Sequence, residues 1–148
     1  MQSHRVTFRP QHRDMHPSVA ETWIGWIARA IVALIFIGMG INHFRPRPAR
    51  GMAAMIPPRM RRSGILSPIN LVYFTGACEI LGGVGILIPF TRIAAAIALT
   101  VFLVVVFPAN AYAAGRPEKF GRLAVPFWPR LIAQLVLIAV VLVAGFLR

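Results

Sequence analysis

Four stretches of the chain are almost wholly apolar, and polar residues are gathered into the segments between them. The first runs from about Trp23 to Ile41, the second from Leu71 to Ile88, the third from Ile93 to Ala111 and the fourth from Leu131 to Leu147. Each approaches the ~17–25 residues needed to cross a hydrocarbon core of ~30 Å. The runs are continuous and do not alternate every second residue, so they predict helices and not the strands of a barrel. Only Pro89-Phe90-Thr91-Arg92 separates the second from the third, which makes those two antiparallel neighbours. The pattern therefore predicts an all-α fold, an integral membrane four-helix antiparallel bundle over residues 23–148 preceded by a polar basic tail over 1–22.

Composition supports this reading. The chain is 57% hydrophobic and 14% charged, against about 45–50% and about 25% in soluble domains, and its mean hydropathy is +0.70. A soluble fold of this size has no interior large enough for so much apolar surface. The first run lacks a small-residue cleavage site after it, so it is expected to be retained and not removed as a signal peptide. Trp23 and Trp26 stand where interfacial aromatic anchors belong, and Arg29, one to two turns further in, is expected to snorkel toward the headgroups. Gly76, Gly82, Gly83 and Gly85 thin the second helix and Ala94, Ala95, Ala96 and Ala98 the third, allowing close approach.

The formal net charge is +12. The cations lie between apolar runs and not on a polar domain, which points to lipid headgroups and not to nucleic acid. Loop one, Arg45 to Asn70, holds six arginines, among them Arg59, Arg61 and Arg62; loop three, Tyr112 to Pro129, adds Arg116, Lys119 and Arg122. Fewer cations lie on the opposite side, where the tail, Arg92 and Arg148 fall. The bias places loops one and three in the cytoplasm and both termini outside. In loop one, Met55-Ile56-Pro57-Pro58 is expected to form a short element at the interface.

Against this background a few polar groups need explaining. His43 closes the first run, Glu79 interrupts the second, Asn110 closes the third, Arg130 borders the fourth and Gln134 lies one turn into it. The alternating helix directions put His43, Asn110, Arg130 and Gln134 near one face, with Glu79 roughly 13 Å below it at ~1.5 Å per residue. A carboxylate at that depth must pair, protonate or meet water, so these five residues are candidates for a ligand-binding or proton-carrying pocket. Each has a plainer reading as well: headgroup contact or capping for His43, relief of the Pro108 kink for Asn110, interfacial anchoring for Arg130, interhelical hydrogen bonding for Gln134. Cys78 is the lone cysteine and reads as a small apolar helix residue. His12 and His16 are spaced i, i+4 in the tail, but their polar, proline-flanked setting makes a poor metal site, and no metal site is expected. No phosphate loop, nucleophile elbow or other catalytic signature is present in the sequence.

Five pieces, in order, resemble the DoxX family of small four-helix membrane proteins: Gly40-Ile41-Asn42-His43-Phe44, Met55-Ile56-Pro57-Pro58, Thr75-Gly76-Ala77-Cys78-Glu79-Ile80-Leu81-Gly82-Gly83, Pro89-Phe90-Thr91-Arg92 and Val106-Phe107-Pro108-Ala109-Asn110. The likeness covers about Ile24 to Leu147. It departs from the pattern after the third helix, where Pro129 precedes Arg130 and Gln134 follows at a different spacing. The resemblance implies a bacterial inner-membrane protein and an accessory subunit in membrane redox or stress physiology; it leaves enzymatic activity undecided and, if there is any, favours a subunit of an oxidoreductase complex. With the buried carboxylate it implies a small polar or quinone-like ligand around Glu79, and as partners membrane lipids, a membrane or soluble redox protein and further copies of the chain. The alternative is a non-catalytic assembly protein recruiting a partner or anionic lipid through Arg59, Arg61 and Arg62; a small transporter, needing oligomerisation to build two gates, ranks third.

Overall fold

The computed structural model describes residues 19–147, so most of the polar tail, the His12 and His16 pair, and Arg148 lie outside the described residues. Among the described residues every regular element is helical. The helices are α1 (Val19–His43), α2 (Pro46–Met55), α3 (Pro68–Gly85), α4 (Arg92–Ala114), α5 (Pro117–Phe120) and α6 (Phe127–Phe146). Single 3₁₀ turns at Pro58–Met60, Gly64–Leu66 and Gly121–Leu123 complete the connections.

Proline sets several of these boundaries. Pro46, Pro68 and Pro117 each stand in the first turn of their helix, where the missing N–H costs no intrahelical bond. Ser67, in extended conformation, feeds the chain into α3. Hence α3 begins three residues before the expected Leu71 and ends at Gly85, with Ile86–Thr91 forming the turn into α4. The Thr91 hydroxyl donates to Gly85 O at 2.7 Å and closes that turn. Phe127 opens α6 a turn before the expected Leu131, so Arg130 lies inside the helix.

Three helical stretches, Trp23–His43, Arg92–Ala114 and Phe127–Phe146, are long and apolar enough to cross a membrane. Large apolar side chains such as Leu34, Leu81, Val105 and Ile132 are exposed on the outer faces. With 18 residues that include Asn70 and Glu79, α3 falls outside that set.

The core is where α1, the end of α3, α4 and α6 meet. Val32, Phe36, Ile86, Ala96, Leu99 and Val141 are its most deeply buried members. Packing joins α1 to α3 and α6, and α4 to α3 and α6, closing a ring; the contact between α1 and α3 is the most extensive. Small residues make these approaches possible. A Cβ at Gly83 would stand 2.9 Å from Ile37 Cγ1, Gly82 packs against Leu99, and Gly145 against Ala96. Ala95 and Ala96 are buried as expected, whereas Ala94 and Ala98 face outward.

Arg29 reaches back one turn toward Gly25 and the end of α6, enclosed by the protein and only 5% exposed. Its Nε donates to Ala144 O at 3.0 Å and its Nη2 to Leu147 O at 2.6 Å, with the guanidinium 5.1 Å from the Trp26 ring centre. The last carbonyls of a helix have no intrahelical donor and carry partial negative charge. Arg29 supplies donors at the end of α6, joined at Leu147 O by Arg92 Nη1 at 3.4 Å.

Candidate functional site

The site begins at a crossing of two glycines. A Cβ on Gly40 would lie 2.7 Å from Gly76 O, and one on Gly76 would lie 3.0 Å from Gly40 O and 2.6 Å from His43 Cβ. The two backbones are therefore in contact. His43 and Glu79 each follow their glycine by three residues, a spacing that keeps both on the contact face. His43 Nδ1 stands 3.0 Å from Glu79 Oε2, and the two residues are 8% and 6% exposed.

This contact overturns the expected depth difference between them. α1 continues to His43 while α3 starts earlier, at Pro68, so only the first turns of α3, before Gly76, project past the end of α1. The backbone of His43 is level with Gly76, about one turn from Glu79, and the two side chains meet. The space alongside the projecting turns of α3 is filled by α2, which packs on α3, α1 and α4.

His43 Nδ1 also lies 2.8 Å from the carbonyl oxygen of Met39, one turn back. Carbonyl and carboxylate oxygens at these distances are both acceptors, so Nδ1 is the ring nitrogen that carries the proton. The N–H is directed at Met39. Glu79 Oε2 is fully buried beside the same ring nitrogen, so Nδ1 faces both the Met39 carbonyl and the carboxylate.

Glu79 and His43 stand in the wall of a cavity of ≈ 410 Å³, within the ~300–1,000 Å³ typical of small-molecule sites. Its wall comes from α1, α2, α3, α4, α6 and the loops, with Thr75, Asn110 and Arg130 as further polar members. The Thr75 hydroxyl donates back to Val72 O at 2.8 Å. Arg130 does not pair with Glu79: its Nη2 donates to Asn110 Oδ1 at 2.7 Å and its Nη1 to Leu123 O at 3.0 Å. Of the five candidates, four therefore share one cavity as two separate pairs. Gln134 is half-buried and does not line it.

Sequence reasoning passed over the methionines. All four in the described residues, Met39, Met52, Met55 and Met60, line this cavity. Their confinement to a span of about twenty residues was the available signal. The predicted interfacial element takes a different form: α2 ends on Met55, a 3₁₀ turn begins at Pro58, and Met55, Ile56 and Pro57 face the cavity. Among the loop arginines, Arg59 and Arg62 are exposed, while Arg61 donates to Ile56 O and Ala54 O, both at 2.9 Å, and fastens the loop to the end of α2. Among the described residues no three His, Cys, Asp or Glu side chains converge as metal ligands.

A helical fold with three membrane-length apolar helices and a cavity built around a buried His–Glu contact defines the class of protein. Residues 32–144 match a family described as a domain of unknown function (DUF8561), and the chain belongs to that family. The matched region includes His43, Glu79, Asn110 and Arg130. Neither the curated proteins nor the solved structures contain a match to this chain.

Proposed function

We propose that this chain is a four-span bacterial inner-membrane protein of the DoxX-like kind, an accessory subunit in membrane redox or stress physiology that holds a small polar or quinone-like ligand beside Glu79. The carrying observation is the buried His43–Glu79 pair in the wall of a largely apolar cavity of ≈ 410 Å³. An ionisable pair at membrane depth marks a functional site more often than a structural one.

The packing of α3 supports its being the fourth span. It lies against α1 and α4, both apolar enough to cross, and its 18 residues extend about 27 Å at ~1.5 Å per residue, close to the ~30 Å core. Its acid points inward, so lipid would meet hydrocarbon. The arginines of loops one and three favour their cytoplasmic placement.

The test compares wild type with Glu79→Gln after mild purification from membranes, with extraction and mass spectrometry of bound small molecules. A small molecule retained by the wild type and lost from the variant, at equal membrane levels of both proteins, is the expected result. Equal retention would overturn the reading.

A further inference from the structure

The surroundings of His43 are those that proteins use to aim an imidazole at a metal ion. Nδ1 carries the proton and faces the Met39 carbonyl oxygen at 2.8 Å and Glu79 Oε2 at 3.0 Å. A histidine that ligates through one ring nitrogen almost always directs the other N–H at a carboxylate or a backbone carbonyl, which fixes both ring and tautomer. Both kinds of acceptor stand at Nδ1. The free lone pair is therefore on Nε2. Among the described residues Nε2 has no hydrogen-bond partner, yet it is not one of their fully buried unpaired atoms. It keeps open surface, and the residue lines the cavity.

The rest of the wall decides which ion would suit that nitrogen. No three His, Cys, Asp or Glu side chains converge among the described residues, so zinc and the harder cations have no ligand set. Sulfur is present instead, because Met39, Met52, Met55 and Met60 line the same cavity as His43. Met52 and Met55 are three residues apart on α2 and share a face of that helix; Met55 is buried and Met52 half-buried. Thioethers are soft, uncharged donors that select Cu(I) over Zn(II) and Mg(II). Leucine would serve apolar packing equally well; it would not place sulfur beside an open imidazole nitrogen.

We propose that the cavity binds one soft monovalent metal ion, Cu(I), through His43 Nε2 and the thioethers of Met52 and Met55. Glu79 is a positioning residue that acts through the imidazole. Met39 and Met60, which line the wall and are also exposed at the protein surface, stand on the path of entry. The metal site goes beyond the organic ligand proposed above and does not depend on it.

The test titrates the full chain, in phosphatidylcholine nanodiscs and with isotope-labelled methionine methyl groups, with Ag(I) as a redox-stable stand-in. Cu(I) is then added without oxygen against a chromogenic Cu(I) chelator. The expected result is one ion per chain, with saturable NMR shifts at Met52 and Met55 while Met1 and Met15 of the tail stay in place at the first equivalent. Zn(II) is expected to leave Met52 and Met55 unshifted. The double variant Met52→Leu/Met55→Leu, which keeps volume and apolarity, is expected to weaken Cu(I) binding by more than the about 10–100-fold that loss of a supporting group costs. Glu79→Gln is expected to weaken it about tenfold with the same methyls shifted, and Cys78→Ala to leave it unchanged. Wild-type protein without a saturable shift at Met52 and Met55 overturns the site, whatever the variants do. So does a first equivalent that moves Met1 or Met15, equal affinity in the double methionine variant, or binding lost in Cys78→Ala, which would put the ion on the thiol. Unchanged affinity in Glu79→Gln overturns the positioning role.

Discussion

At Gly76 an added methyl group would sit 2.6 Å from His43 Cβ and 3.0 Å from Gly40 O, and neither neighbour is free to withdraw, because both belong to the backbone contact of α1 with α3. Gly76→Ala is expected to force the helices apart and destabilise the protein by about 1–3 kcal/mol, seen as a lower thermal midpoint in detergent. Gly38 supplies the control. It is exposed in α1, and a methyl group added there would meet nothing within 4 Å, so Gly38→Ala is expected to be neutral or to stabilise by up to about 1 kcal/mol. Equal losses in the two variants would contradict a special role for the Gly40–Gly76 crossing. Both glycines were visible in the sequence, as was the spacing of three from each to His43 and Glu79. That they face one another was not, since the pairing depends on how far α3 slides along α1. Arg29 shows the same limit. Its acceptors, Ala144 O and Leu147 O, are 115 and 118 residues away, and only the assembled fold brings them together. Arg29→Met keeps the length and removes the donors; a loss of about 1.5–3 kcal/mol per charged hydrogen bond, with faster amide exchange over 143–147, is the expected outcome.

At the scale of elements, continuous apolar runs located α1, α4 and α6, whose helices persist through Gly38 and Gly40 in α1 and Pro108 in α4. The bounds of α3 shifted toward the N-terminus, since Pro68 starts a helix as readily as it ends one and the glycine-rich end gives way to a turn after Gly85. α2 was the least legible element. Its sequence, Pro46–Met55, carries two arginines and two prolines and resembles a basic loop; it is placed by burial of Ala49 and Met55 against the rest of the protein. Arg61 then holds the following segment through the carbonyls of Ala54 and Ile56. Arg61→Gln is expected to raise proteolytic cleavage within 56–62 while leaving the thermal midpoint unchanged, because the bonds it breaks are exposed. A midpoint that falls with the cleavage rate would mean that α2 unfolds with the bundle. Arg59 and Arg62 make a different prediction, since both are exposed. If they lie at an anionic membrane surface, replacing both with Gln should weaken binding of vesicles containing phosphatidylserine by about 1 kcal/mol per charge, without altering occupancy of the cavity.

For the molecule as a whole, the proposed fourth span has a consequence in parity. Three apolar helices alone, α1, α4 and α6, would leave the two ends of the chain on opposite sides of the membrane. With α3 as a fourth span the ends share a side, the turn at Phe90 lies on that side too, and loops one and three lie together on the other. In support of α3 as a span, its one charged residue, Glu79, is hidden against α1, where His43 and the cavity wall surround it. A helix judged by its sequence is judged with every face exposed; within a bundle only the outward face meets lipid, and in α3 that face includes Phe74 and Leu81. On that proposal the arginines of loops one and three favour their cytoplasmic placement. Reporter domains fused at both termini and inserted singly at Phe90, Ser63 and Gly115 are therefore expected to divide three against two. The termini and Phe90 would report the outer side of the inner membrane, and Ser63 and Gly115 the cytoplasm. Termini on opposite sides, with Phe90 on the side of Ser63, would remove α3 from the spans and place Glu79 outside the hydrocarbon.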